Sequence, residues 1–297
     1  MEFKRNGVSK LNERYFRLSS HEYTVYVEGD KDCLFWDDIF PEQEGWTPRI
    51  EVVKDSNGSI IGGWLNLINY LDNELKKGNR VNFIIAQDGD YNEIIHHKKK
   101  YNNVVTSKKY SLENYIFCPI SLNHCIKRLS FGAFDNKIYV ENKLLKFAKL
   151  VEKLILLDCI NEKEHLGYNI YNIPEQYKQS YKNLRFYVKT IEKQYCNIIK
   201  NNKFLLKKIN TVNYIRWKPF IKKLVQIIYT ETNKAIKKEN VIRTNNLIRK
   251  LESGRGAEDL YQLCLENCKL CKHKCEDYND LISQANTAFL NLIKNNI

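Results

Sequence analysis

The chain has 297 residues, enough for one large domain or two ordinary ones, and its 43% hydrophobic content supports a real core. No apolar run reaches membrane-spanning length, and the start M-E-F-K-R-N-G lacks the apolar stretch of a secretory signal. The net charge is +13, and its distribution is more telling than its sum: residues 1–120 hold 16 Lys and Arg against 18 Asp and Glu (net −2), whereas residues 121–297 hold 32 against 17 (net +15). Nine cysteines, an odd count without a signal segment, point to reduced thiols and a cytoplasmic setting.

Residues 1–23 carry Arg5, Lys10, Arg14 and Arg17 among Tyr15, Phe16 and Leu18, and read as a leader that docks on a sheet. Residues 24–27, T-V-Y-V, are a β-branched and aromatic run that reads as a buried strand. Glu28, Gly29, Asp30 and Asp32 follow, and residues 33–40 have helical spacing up to Pro41. The order of strand, carboxylate, glycine turn and helix puts Glu28 at the carboxyl end of a strand, where open α/β sheets place their ligands.

Residues 49–53 read as a second strand, 55–59 as a turn, and 64–77 as a helix closed by Gly78 and Asn79. Residues 81–86, V-N-F-I-I-A, form a third strand that runs into Asp88-Gly89-Asp90. A polar helical piece with His96 and His97 leads to a fourth short strand over 103–106. Such alternation predicts a parallel sheet with helical crossovers. With the first and third strands as neighbours, Glu28, Asp88 and Asp90 meet on one edge, and carboxylates that close repel unless a hard cation such as Mg²⁺ sits among them.

From Pro119 the texture turns helical. Residues 139–159, 184–209 and 219–237 carry apolar stripes with basic opposite faces, and 286–293 is another helical piece. The expected organisation is an α/β domain over 1–118, a parallel sheet flanked by helices, then a mostly α-helical, basic domain over 119–297. A basic half beside an acidic strand edge is what nucleic-acid chemistry requires, although lysines also simply solvate long helices.

The pattern Glu28-Gly29-x-x-Asp32 followed by Asp88-x-Asp90 resembles the TOPRIM domain of topoisomerases, primases and OLD-family nucleases. The run Ser107-Lys108-Lys109-Tyr110-Ser111-Leu112-Glu113-Asn114-Tyr115 is similar to a segment of the OLD-like branch. Within that branch the chain looks most like the AriB-type effector subunits of PARIS anti-phage systems. The resemblance covers residues from about Tyr15 to Phe117. It implies a metal-dependent nuclease that holds Mg²⁺ or Mn²⁺ through Glu28, Asp88 and Asp90. Asp32 would serve a second ion and Glu113 would complete the shell, while Lys108 or Lys109 neutralises phosphate charge. It further implies a toxic defence effector that cuts host tRNA or DNA and is restrained by a partner ABC-type ATPase. A homodimer would bring two sites onto one substrate.

Without that resemblance, Glu28 reads as a helix cap, Asp88 to Asp90 as an Asx turn, Asp32 as a helix-start acid and Glu113 as a solvated helix start. Cys264, Cys268, Cys271 and Cys275 have the spacing C-x3-C-x2-C-x3-C, with His273 inside it, which suggests zinc. The same spacing draws a stripe of buried thiols along a continuous helix, and zinc then requires a break, for instance at Asn267-Cys268, or a ligand from elsewhere in the chain. No Walker run appears, so any ATPase is another polypeptide. The alternative from another class is a non-catalytic module that binds nucleic acid or regulates a partner; strand transfer or primer synthesis ranks last, since none of the 19 tyrosines is marked out as catalytic.

Overall fold

The computed structural model describes residues 21–40, 42, 45–54, 58–60, 63–77, 82–96, 101–178, 180–209, 211–238, 246–253, 256–271 and 275–296. The leader up to residue 20, the turn at 55–57, Gly78 and Asn79, and His97 and His273 lie outside the described residues. Contacts divide the chain into two compact units: Met1–Gln87, Tyr101–Val105 and Ile282–Ile297 form the first, and Asp88–Lys100 and Thr106–Leu281 the second.

The first unit is built on a four-stranded parallel sheet of β1 (His21–Val27), β2 (Trp46–Val52), β3 (Phe83–Gln87) and β4 (Val104–Thr106), in the spatial order β2-β1-β3-β4. β1 pairs along its whole length with β2, His21 opposite Trp46 through Val27 opposite Val52, and on its other side Val27 stands opposite Ala86. β3 is buried at every position, as a strand covered on both faces must be. β2 starts three residues before the expected Arg49, because it is an edge strand and so accommodates Pro48 and its missing N–H.

Helix α1 (Cys33–Trp36) is shorter than the helical spacing suggests, and turns carry the chain on to Phe40. Helix α2 (Trp64–Lys76) packs Leu67, Ile68 and Leu71 on Val53, Phe83 and Ile85. Tyr23 meets Phe289 of this unit with ring centroids 4.9 Å apart.

In chain order the second unit comprises α3 (Asn92–Ile95), α4 (Glu113–Ile116), α5 (Pro119–Leu129), α6 (Lys137–Glu164), α7 (Glu175–Lys178), α8 (Tyr181–Gln194), α9 (Cys196–Asn201), α10 (Lys203–Leu206), α11 (Ile221–Lys238), α12 (Asn246–Glu252), α13 (Ala257–Cys271) and the start of α14 (Glu276–Asn296). Its spine is the 28-residue α6, whose Leu144, Phe147, Val151, Leu154 and Ile155 are buried. Phe147 stacks on Trp217 at 5.8 Å and meets Phe220 edge-on at 5.2 Å. The single helix expected over 184–209 is broken into α8, α9 and α10, because Tyr195 and Asn202 leave the helical region, with φ near −110° at both.

The units do not follow the expected boundary at residue 118. Residues 88–96 and 106–117 belong with the helices, and hydrogen bonds supply the reason: Asp90 N donates to Tyr110 O at 2.9 Å, and Tyr110 N donates to Asn213 O at 3.0 Å. Among the described residues, no helix is long and apolar enough to cross a membrane.

Leu67 and its neighbour Leu71 are fully buried, so Leu67→Ala should destabilise the sheet unit by about 3 kcal/mol through cavity formation. Denaturant unfolding measures this as a lower midpoint with an unchanged slope.

Candidate functional site

The strand order creates a switch point. After β1 the chain turns to β2 on one side, and after β3 it turns to β4 on the other, so the carboxyl ends of β1 and β3 flank the crevice where open α/β sheets bind ligands. Val27 is opposite Ala86, so Glu28 leaves the sheet beside Gln87.

In the first unit Glu28 has a defined scaffold contact. Its Oε2 accepts the N–H of Trp64, the first residue of α2, at 3.1 Å. A carboxylate at a helix N-terminus is stabilised by the unsatisfied amides and the dipole there. The residue that precedes α2, Gly63, has φ +88°, a conformation that favours glycine. Glu28 thus caps the helix after β2 and not the one that follows it in sequence. Asp32 occupies the N-cap position of α1 without a side-chain capping bond, and its N–H donates to Gly29 O at 3.0 Å.

In the second unit the Asp88-Gly89-Asp90 turn is laced to residues 107–112. Asp88 Oδ1 accepts the Leu112 N–H at 3.1 Å, and Gly89 N donates to Ser107 Oγ at 3.1 Å. A Cβ on Gly89 would fall inside contact distance of the Ser107 and Lys109 carbonyl oxygens, so the two strands of chain approach more closely than any side chain permits. Asp90 adopts the left-handed conformation, φ +47°, which Asp tolerates better than most residues.

The motif residues around Glu113 have separate tasks. Glu113 opens α4 and is half-buried, where a carboxylate favours the helix start. Ser111 does not cap it; Asn114 is the hub. Its Oδ1 accepts from Ser111 N and Oγ, and its Nδ2 donates to the Val212 and Ile215 carbonyls at 3.1 and 3.2 Å. Lys109 is buried, paired with Asp277 at 3.0 Å and lying 4.5 Å above the Tyr115 ring. Lys108 pairs with Asp280 at 3.0 Å and is half-exposed, so of the two lysines it is the one with access to a ligand.

Beneath the turn lies a buried polar network that the residue-by-residue reading missed. Tyr91 OH donates to Asp158 at 2.9 Å, and Arg216 donates to the same carboxylate at 3.1 and 3.3 Å. The guanidinium lies 5.3 Å from the Tyr110 ring and 5.1 Å from the Tyr171 ring. Burial pushes the Asp158 carboxyl up to about 6, against the opposing pull of Arg216 and Tyr91. A lone acid in L-I-L-L-D-C-I, on an otherwise apolar helical face, is the sequence signal for it.

Of the four cysteines in the stripe, Cys264, Cys268 and Cys271 lie on α13 and Cys275 lies beyond it. α13 runs unbroken from Ala257 to Cys271, so no break falls at Asn267-Cys268. Cys264 and Cys268 are buried, and burial raises the Cys264 thiol above the usual thiol range. Ser121 Oγ on α5 donates to the Cys264 carbonyl at 2.7 Å, which fixes that face of α13 against α5.

Among the described residues, no group of three or more His, Cys, Asp and Glu side chains is placed to hold a metal ion. The donors at the strand ends are nonetheless hard carboxylate oxygens. Mg²⁺ is ordinarily bound by one or two such groups together with substrate phosphates and water, so a complete protein cage is not required. Comparison with family models gives no match for this chain, and neither does comparison with curated proteins.

Two measurements check this geometry. Gly89→Ala should destabilise the chain by about 3 kcal/mol through forced displacement of residues 107–109, read as a lowered melting temperature. Asp158 holds its proton more tightly when folded, so its contribution to stability falls as pH rises from about 4 toward about 6. The melting-temperature advantage of the wild type over Asp158→Asn should therefore shrink across that interval.

Proposed function

We propose that the chain is a metal-dependent nuclease of the TOPRIM kind. The observation that carries this reading is the topology: Glu28 immediately follows the interior strand β1, and Asp88-Gly89-Asp90 immediately follows β3, the strand paired beside β1. The residues that would hold Mg²⁺ or Mn²⁺ are Glu28, Asp88 and Asp90, with Asp32 and Glu113 as auxiliary acids. The chemistry such an ion supplies is activation of water and neutralisation of phosphoryl charge.

The chain's own residues supply position. The Trp64 and Leu112 amides orient the Glu28 and Asp88 carboxylates, and Gly89 permits the close approach that fixes the turn. Glu28 is the candidate general base, and Lys108 the candidate cation for the scissile phosphate. The resemblance extends the proposal to a toxic effector of anti-phage defence that cleaves tRNA or DNA under the control of an ABC-type ATPase.

A non-catalytic reading has its own support, because both acids already satisfy backbone amides. Amide substitutions separate the two. Glu28→Gln and Asp88→Asn keep an acceptor for the Trp64 and Leu112 N–H groups while removing the charge. If the acids work chemically, each should lower cleavage of RNA or DNA by at least about 100-fold with an unchanged melting temperature. Glu28→Ala, by contrast, leaves the Trp64 amide uncapped and should also cost about 1 kcal/mol. Undiminished cleavage in both amide variants would end the enzymatic reading at these residues.

A further inference from the structure

Within the helical unit, α6 and α8 enclose a groove of about 700 Å³. One wall is a stripe of Lys143, Lys146, Lys149 and Lys153, at increments of three and four residues along α6; Arg185 and Lys189 stand on α8. Two acids, Glu152 and Glu192, also line it, so six cations face two carboxylates. Glu152 is already held by Lys149 at 2.9 and 3.0 Å, and Lys143 lies 3.4 Å from Glu231. Among the described residues, Lys146, Lys153, Arg185 and Lys189 have no ion pair.

Elsewhere in this unit, among the described residues, some exposed lysines are matched to acids, as in Lys222 with Glu175 and Lys250 with Asp259, and others, such as Lys200 and Lys237, stand singly and do not face a second cationic stripe. Facing two cationic stripes across a concavity without such partners raises the local positive potential, and an anionic occupant relieves it. The cations along α6 extend over about 15 Å, a track long enough for several successive phosphates of one strand. On α8 Phe186 is 62% exposed beside Arg185, with Tyr177 stacked on it at 6.3 Å. A basic track flanked by an exposed aromatic ring is the pattern by which proteins hold single strands, phosphates in the track and bases on the ring.

We propose that the α6–α8 groove binds single-stranded nucleic acid, its phosphates held by Lys146, Lys153, Arg185 and Lys189 and a base stacked on Phe186. This rests on the nucleic-acid reading above, but its test needs no cleavage and no divalent ion, so the two fail separately.

The experiment measures anisotropy of a labelled single strand of about 20 nucleotides, as RNA and as DNA, with the full chain carrying Glu28→Gln, in chelator and over a range of salt. The triple variant Lys146→Glu, Arg185→Glu, Lys189→Glu should weaken binding at least about 100-fold and lower the salt slope by about 2, since each phosphate contact on a single strand contributes about 0.7. Phe186→Ala should weaken it about 5- to 100-fold with the slope unchanged. The control reverses three exposed lysines outside the groove, Lys200, Lys237 and Lys238, and should weaken binding several-fold less. Equal loss in the control would reduce the effect to net charge and overturn the groove. Tighter binding of the matching duplex, or of polyglutamate, would overturn the single-strand assignment.

Discussion

Parallel pairing of β1 with both β2 and β3 is the constraint on which the remaining arrangement depends. β1 turns one face fully into the core, where Tyr23, Val25 and Val27 are buried, while Thr24 and Tyr26 on the opposite face are half-buried. Because the chain then leaves β1 and β3 in opposite directions, no crossover covers the interval between their ends. Polar residues are tolerated there because the sheet's hydrophobic layers have finished, and Glu28 is the first residue beyond them.

A carboxylate in that position has to be satisfied, and the fold answers with backbone amides. Glu28 is oriented by the start of α2 and Asp88 by Leu112. Capping and catalysis are compatible uses of one side chain: a carboxylate has two oxygens and several lone pairs, and an amide that holds one of them removes rotational freedom from the other. The proposed chemistry therefore draws on the same contacts that would exist if the acids were purely structural, which is why amide variants are more informative than alanine.

The helical unit is organised by buried polar hubs as much as by its apolar spine. Asn114 satisfies four hydrogen-bonding partners across three segments, and Asp158 draws a tyrosine and an arginine from distant parts of the chain. An unpaired member of such a network would cost several times what a surface pair contributes, so these residues specify one arrangement of the segments around them. The cysteines have the opposite character: α13 stays helical through Cys264, Cys268 and Cys271, all three buried, and the Cys264 carbonyl is tied to Ser121 of α5.

Much of the framework was legible in the sequence. Short β-branched and apolar runs located the four strands, and apolar residues at spacings of three and four located α6, because burial in a sheet or along a helical face imposes those patterns directly. The strand-end position of Glu28 and of Asp88 followed from the same local signals. What depended on tertiary structure was everything decided by partners remote in the chain: Pro48 within a strand, which only an edge position permits; the breaks at Tyr195 and Asn202; the cap that Glu28 gives to α2; and the grouping of Asp88 to Asp90 with the helices. Local spacing reports which face of an element is apolar, whereas the partner of a buried polar group is set by packing between segments a hundred or more residues apart, as Asn114 and Ile215 are.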